Sequence, residues 1–304
     1  VGKAAQSSED MMLSFGAFCK VVRPQKGVNP RYLKHYFNST NYRKIISDLS
    51  SGANISNLRN EHIDELKLPL PPLPIQQKIA DELDKASALI EMRKAQIEKL
   101  DLLIKSQFIE MFGDLQNNSR KWDVHSFTFV AKIDTRMTTD FKTYALYPHI
   151  GIESIEKDTG SILSYKLVKD SDLKSGKYLF DERHLIYSKI RPNLNKVAKP
   201  NFKGVCSADA YPLLPTKNSN REFLTQVLRS DFFLDYILTF SGRTNIPKVN
   251  KEQLEGFMLP VPSKPLQDRF AQIVHQAENK RAILVKSKEM LETSYLSLMQ
   301  RCFC

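Results

Sequence analysis

What this sequence lacks excludes several kinds of chemistry. Cysteine occurs four times, at Cys19, Cys206, Cys302 and Cys304, and never as Cys-x-x-Cys. Cys302-Phe303-Cys304 has no matching histidine cluster, so the four read as reduced thiols of a cytoplasmic protein and not as a zinc site. The six histidines contain no metal-spaced pair, and no metal is expected. There is no Gly-x-x-x-x-Gly-Lys-Ser/Thr loop: Ser175-Gly176-Lys177 ends in Tyr178 and lacks the earlier glycine, so ATP has no cradle. No serine sits in a nucleophile elbow. No apolar run is long enough to span a membrane as a helix, so no membrane partner is expected. Val1-Gly2-Lys3-Ala4 has neither an initiator methionine nor the character of a signal peptide. The chain is therefore expected to start inside a longer gene product or to be an excerpt of one.

Positive charge is present in excess. Lys and Arg number 45 against 34 Asp and Glu, a net charge of +11. An excess of that size favours a polyanionic partner, because each phosphate neutralised releases counterions.

The chain is also duplicated. Asn54 pairs with Asn245 and Pro69 with Pro260, both at an offset of 191 residues. Leu49 to Ala80 aligns with Phe240 to Ala271 without a gap, and so do the stretches from Asn29 and Asn220. Downstream, Leu100 falls on Leu291 and Phe112 on Phe303. A period this long means two copies of a domain, each with an appended helix.

Each copy opens on a helix of apolar period near 3.6, Tyr32, Leu33, Tyr36 and Phe37 in one and Phe223, Leu224, Val227 and Leu228 in the other. A loop containing Gly and Ser follows, then a proline strip: Pro69, Pro71, Pro72 and Pro74, or Pro260, Pro262 and Pro265. Proline fixes φ and removes a donor, so the strip is expected to be a stiff extended connector outside any helix interior. Beyond it, Leu83, Ile90, Ile97, Ile104 and Met111 recur every seven residues, as do Phe270, Ala277, Leu284, Leu291 and Leu298. Such heptads predict two coiled-coil helices of about 40 residues, roughly 60 Å long, that cover each other.

The stretch from Asp114 to Asn201 reads as strand-rich. Tyr147–Ile152, Lys177–Phe180 and His184–Ile190 carry β-branched and aromatic residues bounded by Gly, Asp and Pro. The fold class is therefore α+β, mixed strands and short helices joined by two long antiparallel coiled-coil helices. Four segments follow: 1–72 as the C-terminal part of a first domain, 73–113 as its helix, 114–263 as a second domain, and 264–304 as the second helix. The first copy is short at its front, by about 78 residues when laid on the second.

Catalytic motifs appear only as lookalikes. Asn29-Pro30-Arg31-Tyr32 is close to the Asn-Pro-Pro-Tyr/Phe motif of amino-methyltransferases, but Arg31 replaces the second proline and the duplicate reads Asn220-Arg221-Glu222-Phe223. Both are better read as helix starts with a capping Asn. Glu65-Leu66-Lys67 could end a nuclease motif, yet the duplicate has Gly256 in place of Glu65.

The remaining signal is one of binding. Between Lys177 and Lys203 lie seven basic residues against Asp181 and Glu182. Lys189, Arg191, Asn193, Asn195 and Lys196 are the candidates here, since Arg and Lys read phosphates and guanine edges and Asn reads adenine. Arg243, Thr244, Asn245 and Lys248 form a second polar loop, and Asn54, Asn57 and Arg59 are its counterpart in the first copy. A solvated basic loop is the bland alternative for these residues.

Two runs resemble a known family. Leu185–Ala198 followed by Cys206–Leu213 is similar to the middle of a target-recognition domain of type I restriction–modification specificity (S) subunits. Leu68–Gln77, repeated at Leu259–Gln267, resembles the proline-and-glutamine start of that family's helix, and Phe108–Asp114 its end. The resemblance implies a sequence-specific, non-catalytic subunit that reads a bipartite double-stranded DNA target. It implies docking of methyltransferase (M) subunits on the helices that carry Leu83, Ile90, Ile97, Ile104, Leu284, Leu291 and Leu298, together with restriction (R) subunits. S-adenosylmethionine, ATP and Mg are then expected on those partners and not on this chain. The first domain would be N-terminally truncated relative to the family. The competing readings are a coiled-coil scaffold without DNA readout and the specificity portion of a fused methyltransferase–nuclease.

Overall fold

The computed structural model describes residues 2–7, 14–16, 18–50, 59–240 and 247–303. It divides into two compact units, Val1–Lys99 with Lys280–Cys304, and Leu100–Asn279, and the division falls inside both long helices.

The first unit begins with α1 (Pro30–Asn38), α2 (Thr40–Ser50) and α3 (Asn60–Asp64). Asn29 caps α1 as its sequence suggests: its Oδ1 accepts the amides of Arg31 at 2.9 Å and Tyr32 at 3.2 Å. Pro30 fills the first helical position, where a missing N–H costs nothing. This unit is completed by α4 (Leu73–Phe112) as far as Lys99 and by the C-terminal helix from Lys280. Its core is Tyr32, Tyr36, Tyr42, Ile46, Ala80, Leu83, Met299 and Phe303. Burying each large side chain contributes about 1.5–3 kcal/mol. Among the described residues this unit has no strand.

The second unit carries the sheets. In chain order its elements are β1 (Val124–Ser126), α5 (Phe127–Val130), β2 (Ala131–Ile133), β3 (Met137–Thr138), β4 (Pro148–Ile150), β5 (Lys166–Leu167), β6 (Lys177–Phe180), β7 (Leu185–Ser188), β8 (Val197–Ala198), β9 (Gly204–Cys206) and β10 (Ala210–Pro215). Then come α6 (Arg221–Arg229), α7 (Asp231–Leu238), α8 (Lys251–Glu255), β11 (Met258–Pro260) and α9 (Lys264–Phe303). One sheet has the order β2-β10-β7-β8 and is antiparallel throughout. The other has the order β3-β6-β9-β4-β5, with β4 and β9 parallel. All four residues of β7 are buried, and the one short polar side chain among them, Ser188, donates its hydroxyl to the Ile190 carbonyl at 3.0 Å. Ile150, Phe180, Ile186, Cys206 and Ala210 share one core cluster.

The duplication is visible in individual contacts. In the first unit Tyr32 meets Phe303, ring centroids 5.1 Å apart; in the second, Phe223 meets Phe112 at 5.2 Å. Both residues of the first pair are related to those of the second by the same offset of 191. Gln76 donates to the carbonyls of Gly27 and Pro71 at 3.0 and 2.7 Å, and Gln267 to those of Asn218 and Pro262 at 3.1 and 2.8 Å. Both long helices contribute to each unit, and in the first they run antiparallel. In the first, Arg93 Nε donates to Ser287 Oγ at 3.2 Å while Leu83 shares a cluster with Met299; in the second, Phe108 packs on Phe270 at 5.5 Å.

The proline strip departs from its expected form at both ends. Pro69–Pro72 has no regular structure, but Pro74 and Pro265 lie in the first turn of α4 and α9, where the missing amide breaks no helical bond. Pro260 belongs to β11, which pairs with β1 alone; such a two-stranded edge tolerates proline.

Candidate nucleic-acid interface

The candidate site lies where three segments of the second unit are stitched together after β7. The amide of Lys189 donates to the carbonyl of Asp209, that of Val249 to Lys189, and that of Arg191 to Pro247, each at 2.9 Å. Ile190 and Lys248 form an isolated bridge. Lys189 and Arg191 are thus brought beside Lys248, which is distant in sequence. Lys248 Nζ pairs with Asp209 Oδ1 at 3.0 Å, an exposed contact that a phosphate could displace at little cost.

Arg191 and Asn195 both have left-handed backbone, φ 50° and 46°, and bracket a single turn of 3-10 helix, Pro192–Leu194. Non-glycine residues adopt this conformation at a cost, which surrounding contacts must hold. Pro192 is buried and Asn195 donates through Nδ2 to the Arg229 carbonyl at 3.0 Å. Lys196 donates through Nζ to the Ile152 carbonyl at 2.9 Å. Asn195 and Lys196 are therefore engaged in anchoring the loop, while Arg191 and Asn193 are exposed on it.

Lys189 is 7% exposed, its ammonium 4.3 Å from the Tyr211 ring centroid and 5.4 Å from that of Tyr178. A cation over two ring faces is stabilised by their quadrupoles. Burial, then the charge of Lys248, pushes its pKa below the ordinary lysine value, with Asp209 opposing. Lys177 is similarly buried, donates to the carbonyl and hydroxyl of Ser175, and has its pKa lowered by burial. Burial raises the pKa of the Cys206 thiol, which keeps it protonated beside these lysines.

Residue counting alone does not show which charges are already engaged. Arg183 is paired with Asp181 at 2.6 Å, and Lys199 with Glu278 at 2.6 Å and Glu222 at 3.5 Å. Asp209, Tyr178 and Tyr211, which position Lys248 and Lys189, were not among the expected site residues; Tyr178 lies in the expected strand Lys177–Phe180, and Asp209 and Tyr211 lie in the Cys206–Leu213 run. Arg59 is exposed beside α3 in the first unit. Arg243, Thr244, Asn245, Asn54 and Asn57 lie outside the described residues.

On the long helices, Leu83, Ile90 and Ile104 are buried within the chain, and Ile97, Leu284, Leu291 and Leu298 are half-buried. These side chains hold the helices in place, so the faces open to a partner are others: Leu102, Leu103 and Ile109 on α4, and Ile283, Met290 and Leu296 on α9 are exposed. Among the described residues no group of three His, Cys, Asp or Glu is placed to hold a metal ion, and no helix is long and apolar enough to cross a membrane.

Residues 1–102 and 120–293 match the family model of the type I restriction modification DNA specificity domain, and the chain belongs to that family. It is 28% identical over 267 residues to the type I restriction enzyme EcoDI specificity subunit of Escherichia coli, covering 77% of this chain and 60% of that protein. It is 40% identical over 105 residues to the StySPI specificity subunit of Salmonella potsdam, covering 34% of this chain and 23% of that protein. The chain thus spans less than two thirds of the length of either relative. Among solved structures, the S subunit of a type I restriction-modification system from M. genitalium aligns over 91% of this chain and 73% of its own, with TM-score 0.56 and 15% identity, a likeness of fold.

Proposed function

We propose that this chain is the non-catalytic, DNA-reading subunit of a type I restriction–modification complex. Its second unit reads one half of a split duplex target through Arg191, Asn193 and Lys248, with the buried Lys189 behind them. The first unit, through Arg59 together with Asn54 and Asn57, addresses the other half. Arg243, Thr244 and Asn245, which precede Lys248 in the sequence, contribute to the same half-site as Lys248. The observation that carries this reading is the doubled packing, Tyr32 on Phe303 and Phe223 on Phe112, within a chain of the specificity family. Two like units suit two half-sites and two copies of one partner.

In this reading the exposed faces of α4 and α9 receive methyltransferase (M) subunits, and restriction (R) subunits join the assembly. S-adenosylmethionine, ATP and Mg act on those partners, in the cytoplasm, where the DNA is. The deciding experiment co-expresses the chain with a methyltransferase subunit and measures complex formation and binding to a library of duplexes at several salt concentrations. A complex that selects a gapped sequence, with affinity falling steeply as salt rises, is expected. A complex that retains no DNA at low salt supports the scaffold reading instead.

A further inference from the structure

The junction between short and long helix recurs in the two units with its polar pair reversed. Arg31 on α1 forks two aspartates one turn apart on α4, with Nη2 2.7 Å from Asp81 and Nη1 2.9 Å from Asp84. The position equivalent to Arg31 is Glu222 on α6, and the one equivalent to Asp84 is His275 on α9. Those two residues also meet, His275 Nε2 to Glu222 Oε1 at 3.0 Å. The acid has moved from the long helix to the short one, and the nitrogen donor the other way. Gln272 stands where Asp81 would be.

The apolar contacts at the two junctions cannot tell the units apart, because an aromatic pair sits at the same positions with nearly the same spacing. We propose that this reversed polarity assigns each short helix to its own long helix. It thereby keeps the halves of one chain, or of two copies of it, from exchanging places. Seating α6 on the start of α4 sets the buried carboxylate of Glu222 against Asp81 and Asp84. Seating α1 on the start of α9 faces Arg31 with His275 and Gln272 in place of two aspartates, and sets it beside the ammonium of Lys199, which already holds Glu278 at 2.6 Å. Unpaired buried charge and like-charge contact are the costly outcomes, so repulsion does the sorting.

The test is hydrogen–deuterium exchange of the full chain, followed in peptides covering residues 30–38. R31Q removes the attraction, and R31E adds repulsion from both aspartates. R31E is expected to open α1 about tenfold more often than the parent chain, and several-fold more often than R31Q. R31E/D81Q/D84H transfers the side chains of 222, 272 and 275 onto the first unit, and is expected to bring protection back to within about threefold of the parent. Where R31E does not fold at all, folding of the triple variant is the same rescue. The proposal is overturned if R31E exchanges no faster than R31Q, or if the triple variant stays as open as R31E.

Discussion

The rings of Tyr32 and Phe303 meet at a centroid distance of 5.1 Å, tilted by 51°, although the two positions are 271 apart in sequence. Tyr32 opens the first unit and Phe303 ends the last helix, so the C-terminal turn of α9 is part of the first unit's core. Phe303→Ala is expected to destabilise that core by about 3–5 kcal/mol. Urea titration followed by circular dichroism checks this, and Phe112→Ala is expected to do the same to the second unit.

Arg191 and Lys248 should behave as contact residues. Alanine at either is expected to leave the denaturation midpoint within about 0.5 kcal/mol of the parent and to reduce the slope of log affinity against log salt by about 1. Binding isotherms at four salt concentrations read both numbers. Unchanged slopes would remove these residues from the interface.

Asn195 should behave in the opposite way. Alanine there loses the bond to the Arg229 carbonyl and sits poorly at φ 46°, so a stability loss of about 1–2 kcal/mol is expected. DNA affinity, measured where the variant is fully folded, should change with the loop's order and not with a unit of salt slope.

Acid should weaken the second unit through Asp134 and Asp181. Arg136 holds the Asp134 carboxyl down to about 2, chiefly by side-chain hydrogen bonds, and Arg183 likewise holds Asp181 well below the usual carboxylate range. The unfolded chain binds protons at these groups first, so their stabilisation is complete above about pH 5 and falls as pH drops from the ordinary aspartate value near 3.9 towards 2. Urea midpoints from pH 6 to pH 2.5 should show this decline. Asp134→Asn is expected to flatten it, and an unchanged profile would assign the acid sensitivity elsewhere.

The two glutamine clamps give a paired prediction. Gln267→Ala leaves the carbonyls of Asn218 and Pro262 without their donor in a fully buried position, at a cost of about 2 kcal/mol. Gln76→Ala should cost a similar amount. Measured side by side in the same titration, a loss at only one position would mean that the two junctions are not energetically equivalent.

Much of the architecture was legible because it is written in periods. The seven-residue recurrence from Leu83 and from Phe270 marks α4 and α9, and the paired apolar positions at Tyr32 and Phe223 mark α1 and α6. Lys177–Phe180 forms β6, and only the centres of the other two expected strands, Pro148–Ile150 and Leu185–Ser188, are paired. The β1–β11 ladder, joining Val124 to Pro260, was not legible, because no local pattern announces a partner so distant. The candidate edge was legible as a polar region, and the roles of its residues within the loop were not. Asn195, Lys196 and Arg191 look alike as polar loop residues, and only the fold shows that two of them face carbonyls inside and one faces water.

That division within one loop has a consequence for how the protein can change. The bracket at 191 and 195 fixes the path of the backbone, and the Asn195 and Lys196 side chains tie it to Arg229 and Ile152. Asn193 stands between them, exposed, with its own side chain contributing none of those ties. A substitution there alters what the loop presents without altering how the loop is held. Position 193 is thus an interchangeable tip on a fixed mount, where new preferences can be sampled one residue at a time while the frame stays folded.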